Sequence, residues 1–105
     1  MKLIVVLSII EEQECVARLL HEAGLVRFSS VPISGYKKRK ECSSLSWFGR
    51  GSRCEKTNSL MLFSFADEEL AHRVVDRVDR ANAEGDHRFP LHAFVLDVSE
   101  FSKFM

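Results

Sequence analysis

The chain has 105 residues, 46% apolar and 29% charged, with 15 basic and 15 acidic side chains that cancel. That length and composition describe one small soluble domain, 1–105, with a modest core. No apolar run approaches the ~18 residues needed to cross a bilayer, which excludes insertion by a membrane-spanning helix.

Charge is distributed unevenly along the chain. Residues 37–58 hold seven Lys/Arg and two acids; the rest holds eight bases and thirteen acids. A basic segment on an acidic host attracts anions such as phosphates, nucleotides or an acidic protein surface, or it is a solvated loop kept soluble by charge. Three cysteines, Cys15, Cys42 and Cys54, form no even disulfide framework and point to a reducing, cytoplasmic setting.

The apolar run Leu3 to Leu7 predicts a strand buried on both faces. The acids Glu11, Glu12 and Glu14 that follow, with no small-x-small cleavage site, argue against a signal peptide. Over residues 11–23 the period becomes helical, with Val16, Leu19, Leu20 and Ala23 on one stripe and Gly24 as the stop. Ser8 and Glu11 have capping-box spacing. Cys15 reads as a small apolar filler on this helix.

Residues 25–36 predict a second strand, with Pro32 marking an edge or a bulge. Residues 37–58 have no period and predict a long mobile loop. Leu60 to Phe65 predicts a third strand, apolar on both faces. Asp67 caps a second helix whose stripe is Ala71, Val74, Val75 and Val78, with Asp76 and Arg80 paired at i, i+4. A second loop spans 83–90, a fourth strand 91–98, and a tail carries Phe101 and Phe104.

The order β-α-β-β-α-β predicts an α+β ferredoxin-like sandwich: a four-stranded antiparallel sheet with two helices on one face, strands 1 and 3 central. Two helices cover one face only, yet strands 1 and 3 are apolar on both. The second face therefore needs a cover, and the expectation is a homo-oligomer.

The first forty residues carry a family likeness. Met1-Lys2-Leu3-Ile4, Glu22-Ala23-Gly24, Ser30-Val31 and Gly35-Tyr36 leading into a basic stretch resemble the PII-like signal-transduction proteins, here a non-classical member. The resemblance implies a homotrimer whose long loop between strands 2 and 3 docks on a transporter or enzyme. It also implies adenine nucleotides bound between subunits. The family's Gly-Asp-Gly-Lys turn before strand 4 is matched only in part by Glu84-Gly85-Asp86-His87-Arg88-Phe89-Pro90, which keeps Gly-Asp and a base but lacks the second glycine. Trp47 and Phe48 stand in place of the usual loop sequence.

The expected ligand-binding set is Gly35, Tyr36, Lys37 and Lys38 from one subunit, with Gly35 turning the chain out of strand 2, and Gly85, Asp86, His87 and Arg88 from the next. The expected partner-binding set is Arg39, Lys40, Trp47, Phe48, Arg50 and Arg53. Each basic group has a plainer reading as a solvated charge run, and the aromatics as residues folded back on the loop. Cys42 and Cys54 match no zinc spacing. His21 and His72 read as exposed helix residues and His92 as the start of strand 4.

No P-loop, Gly-x-Ser-x-Gly or triad order occurs, so no enzyme is expected and no catalytic or metal-ligating residue is assigned. Nucleic acid is not an expected partner. An RNA-recognition sheet needs an aromatic on strand 1, which is aliphatic here, although strand 3 has Phe63 and Phe65. The leading expectation is a regulatory protein that docks on a partner and takes a small anion. The alternatives are a divalent-metal-binding or metal-stress trimer of the same fold, and a ligand-free scaffolding oligomer.

Overall fold

The computed structural model describes residues 1–37, 55–85 and 90–102. Strands β1 (Lys2–Ile9), β2 (Ser29–Lys37), β3 (Glu55–Ala66) and β4 (His92–Asp97) and helices α1 (Gln13–Ala23) and α2 (Glu68–Glu84) follow the order β-α-β-β-α-β. The sheet order is β2-β3-β1-β4, and every neighbouring pair is antiparallel. The ferredoxin-like α+β expectation holds, with the two doubly apolar strands central and Pro32 on an edge strand, where its missing N–H costs no ladder bond.

The core lies between the helices and one sheet face. Ile4 and Val6 of β1 and Leu60 and Leu62 of β3 meet Val16, Leu19, Leu20 and Ala23 of α1 and Ala71, Val74 and Val78 of α2. Full burial of each large aliphatic side chain contributes about 1.5–3 kcal/mol. Two serines share this face, and their hydroxyls donate to backbone carbonyls: Ser8 Oγ to Ile9 O at 2.8 Å and Ser64 Oγ to Arg27 O at 2.6 Å.

Local chemistry sets the helix ends. Asp67 accepts from the Leu70 N–H at 2.8 Å, the expected N-cap. Gly24 ends α1 at φ 111°, with the Gly24 N–H donating to His21 O and the Leu25 N–H to Leu20 O, a Schellman arrangement. Across the helices Arg77 pairs with Glu22.

Several expectations are corrected. Ser8 does not cap α1: it lies in β1, and a 3₁₀ turn, Ile10–Glu12, with no side-chain cap leads into the helix. Cys15 is exposed instead of filling the core, because it sits off the Val16–Leu20 stripe. Arg77–Glu22 replaces the expected Asp76–Arg80 pair, and Val75 is only half-buried. Helix α2 runs on to Glu84. Residues 25–28 precede β2, and Leu25 packs in the core.

The largest difference concerns the long loop. The β2–β3 ladder continues through Ser34↔Asn58, Gly35↔Thr57, Tyr36↔Lys56 and Lys37↔Glu55, so Lys37 and residues 55–58 are strand. These pairs extend past the end of β1, and their mostly polar sequence carries no apolar alternation to read. Gly35 therefore does not turn the chain: it lies within β2 and its φ is not positive. The expectation of mobility for the remainder of the segment lies outside the described residues.

Candidate functional site

The sheet face opposite the helices is largely apolar, with Ser29 and His92 at its edges. Residues directly opposite in a ladder share a face. Leu3, Val5 and Leu7 of β1 stand opposite Phe65, Phe63 and Met61 of β3, and opposite Leu96, Phe94 and His92 of β4. Val31 of β2 extends the Leu7–Met61 row, and Ile33 lies beyond it. Phe94 is 51%, Leu96 49% and Phe65 42% exposed, while Leu3, Val5, Leu7, Met61 and Phe63 are half-buried. Four strands about 4.8 Å apart and six rungs about 3.4 Å apart give this face about 400 Å² in plan. Patches of that size match the largest found on single-chain proteins and are often functional.

The two expected ligand segments leave the sheet at one end, where β1 finishes, but from opposite edges. Gly35, Tyr36 and Lys37 belong to edge strand β2, and Tyr36 is 70% exposed. Gly85 is the C-cap of α2, its N–H bonded to Ala81 O at 3.0 Å. Its φ of −94° is open to any residue, so the backbone there does not demand glycine. Asn82 clamps the entry to β4, donating to Leu91 O and accepting from the Leu91 N–H, both at 2.9 Å. The β2 and β4 edges lie three strand spacings apart, about 14 Å, so one protomer does not bring the segments together. Lys38, Asp86, His87 and Arg88 lie outside the described residues, as do Arg39, Lys40, Trp47, Phe48, Arg50, Arg53, Cys42, Cys54 and Phe104.

A groove of about 450 Å³ opens at the other end of the sheet, where β2 has yet to join β3. Gly24, Arg27, Phe28, Ser29, Phe65 and Leu70 are among its walls. Sequence reasoning misses it, since it is made by the connector from Leu25 to Phe28, which reads as strand. A second groove of about 400 Å³ lies beside Gly24, between Glu22 of α1 and Arg73, Arg77 and Arg80 of α2.

Electrostatics on the described surface are modest. Lys2 pairs with Asp97 across the β1–β4 edge on the helix side of the sheet. Their hydrogen bond raises the Lys2 ammonium above its ordinary value and holds the Asp97 carboxyl below its own. His21 and His72 are exposed, and the His21 ring tilts against Phe28 at 5.1 Å. Among the described residues no three His, Cys, Asp or Glu lie close enough to hold a metal ion. Nor is any helix among them long and apolar enough to cross a membrane.

Comparison with known proteins places the fold. No family model matches the chain, and no curated protein matches it by sequence. Solved structures do. A candidate PII-like signaling protein from Thermus thermophilus superposes with a TM-score of 0.63 at 18% identity, over 92% of this chain and 85% of that one. The GlnK–ATP complex of B. subtilis gives 0.68 at 11% identity, over 93% and 81%. CPII, a nitrogen regulatory PII-like protein from Thiomonas intermedia bound to ADP, AMP and bicarbonate, gives 0.60 at 16% identity, over 96% and 94%. The chain has the fold of the PII-like signalling proteins, as the resemblance in its first forty residues implied.

Proposed function

We propose that this chain is a PII-like regulatory protein, not an enzyme: a cytoplasmic homotrimer that docks on a partner protein through the segment after β2 and takes a small anion, an adenine nucleotide, between subunits. The observation that carries the reading is the apolar sheet face left uncovered on a PII-type fold. Closing it with further copies removes that surface from water, at about 25 cal/mol per Å². A ring also answers the separation of the two ligand segments: one protomer's β2 edge meets its neighbour's β4 edge. Gly35, Tyr36, Lys37 and Lys38 then face the neighbour's Gly85, Asp86, His87 and Arg88. Two of the similar structures hold adenine nucleotides, which supports the choice of ligand.

The docking set is Arg39, Lys40, Trp47, Phe48, Arg50 and Arg53, a basic segment with an aromatic pair suited to an acidic partner surface. Calorimetry with AMP, ADP and ATP tests the ligand site. Binding to the wild type that weakens in Lys38→Ala and Arg88→Ala, and weakens further in salt, is expected. Unchanged binding in both variants would remove this site. Absence of all nucleotide binding would favour a scaffolding oligomer, and saturable divalent-metal binding instead would favour the metal-binding trimer.

A further inference from the structure

We propose that the groove between α1 and α2 binds a compact metabolite with two or more anionic groups, held by Arg73, Arg77 and Arg80, with Glu22 as an internal competitor. The groove is lined by residues of one protomer, on the helix side of the sheet and away from the apolar face. It stands apart from the segments assigned to the nucleotide.

Arg73, Arg77 and Arg80 fall at i, i+4 and i+7, one stripe of α2, and all three line the groove. Arg77 is engaged across the groove by Glu22 of α1. Arg73 and Arg80 are exposed and make no hydrogen bond or ion pair among the described residues. Their Cα atoms are about 10 Å apart along the helix, so two free guanidiniums flank a third that is already neutralised. Arg73 lies over the end of α1: a Cβ added at Gly24 would stand 3.5 Å from one of its guanidinium nitrogens. The glycine that closes α1 thus also leaves room for this cation against the backbone. Asp76 lines the groove too, but about 100° round the helix from Arg77, on the side away from the core.

Size and charge select the ligand. The groove encloses about 400 Å³, the scale of a metabolite site. Helices α1 and α2 together hold seven acids and four bases, and three of those four bases lie in this stripe. That acidic surround repels an extended polyanion such as nucleic acid or a lipid surface, whereas a compact anion meets the arginines alone. Guanidinium forks match phosphate and carboxylate oxygens alike. Because Glu22 already occupies Arg77, an incoming anion must displace it or share the cation. Removing the Glu22 charge therefore strengthens binding, and removing Arg73 or Arg80 weakens it. Each exposed charge contributes up to about fivefold.

Amide NMR tests this, on isotope-labelled protein carrying Lys38→Ala and Arg88→Ala so that the proposed nucleotide cleft contributes little. Pyrophosphate and citrate are titrated separately at neutral pH in low salt. The expected result is saturable movement of the Gly24 and Arg73 to Arg80 amides, weaker in added salt. Saturation by pyrophosphate alone assigns a phosphate ligand, and by citrate alone a polycarboxylate; either supports the site. Arg73→Gln and Arg80→Gln should each weaken binding by up to about fivefold, and Glu22→Gln should tighten it by a similar factor. Loss of a merely structural ion pair would not tighten binding. Movement that fails to saturate with both probes, that misses these amides, or that persists unchanged in both arginine variants would overturn the proposal. So would a Glu22→Gln protein that binds no tighter than its parent.

Discussion

Val5 and Phe63 face each other across the central β1–β3 ladder, on the face away from α1 and α2. The same strands present Ile4, Val6 and Leu62 to a closed core on their other side. One protomer thus has two apolar sheet faces and buries one. The functional reading follows from that imbalance.

Phe94 offers a way to separate folding from assembly. It is half-exposed on an edge strand, so charge there costs the protomer little. Phe94→Glu is expected to give a folded monomer, with wild-type far-ultraviolet circular dichroism and the sedimentation coefficient of one chain. A Phe94→Glu protein that still sediments as an oligomer would place the interface elsewhere.

Gly24 is expected to resist substitution. At φ 111° an L side chain is strained, and an added Cβ would sit 3.3 Å from Leu70 Cδ1 and 3.5 Å from an Arg73 guanidinium nitrogen. Gly24→Ala should destabilise the fold by about 1–2 kcal/mol, lowering the urea midpoint with an unchanged slope. No change in midpoint would mean that another conformation closes α1 at no cost.

Asp67 should account for about 1 kcal/mol through its cap on the Leu70 N–H. Asp67→Ala is expected to lower Tm by about 4–8 °C for a domain of this size. Asp67→Asn, which keeps an acceptor, should recover most of the loss.

The Lys2–Asp97 pair gives a weak pH dependence of known sign. Asp97 is held below its ordinary 3.8 first by the hydrogen bond from Lys2. Its contribution is present above 3.8 and is lost as pH falls through the lowered folded value. Lys2 is raised above 10.5 for the same first reason, so its contribution holds below 10.5 and is lost as pH rises through the folded value. The Asp97 side chain is 82% exposed, so the effect is small. The gap in stability between wild type and Asp97→Asn should be measurable at neutral pH in low salt and close as the solution is acidified. A gap that widened in acid would contradict the assignment.

Much of the fold was legible because period and burial agree. The stripe Val16–Leu19–Leu20–Ala23 and the doubly apolar runs of β1 and β3 report environments that admit few other residues. Gly24 and Asp67 did so at helix ends. Legibility failed where backbone pairing alone decides. Lys37 and Glu55 to Asn58 extend the ladder beyond the apolar stretches of β2 and β3, so the sequence there carries no period and reads as loop. Cys15 misled because a small side chain fits a core or a surface equally well. For the candidate site, residue type pointed to Gly35 as a turn-maker and the family resemblance to Gly85 as part of a ligand turn, whereas the structure has Gly35 in a strand and Gly85 at an ordinary φ. The groove beside Ser29 was invisible because it arises from where β2 starts, a boundary that no single residue marks.

The account turns on the uncovered sheet face, and the most direct test is the mass of the protein in solution by multi-angle light scattering at micromolar concentration and neutral pH. The account predicts three times the mass of one chain, shifting to one in Phe94→Glu. A wild-type protein with the mass of a single chain would contradict it.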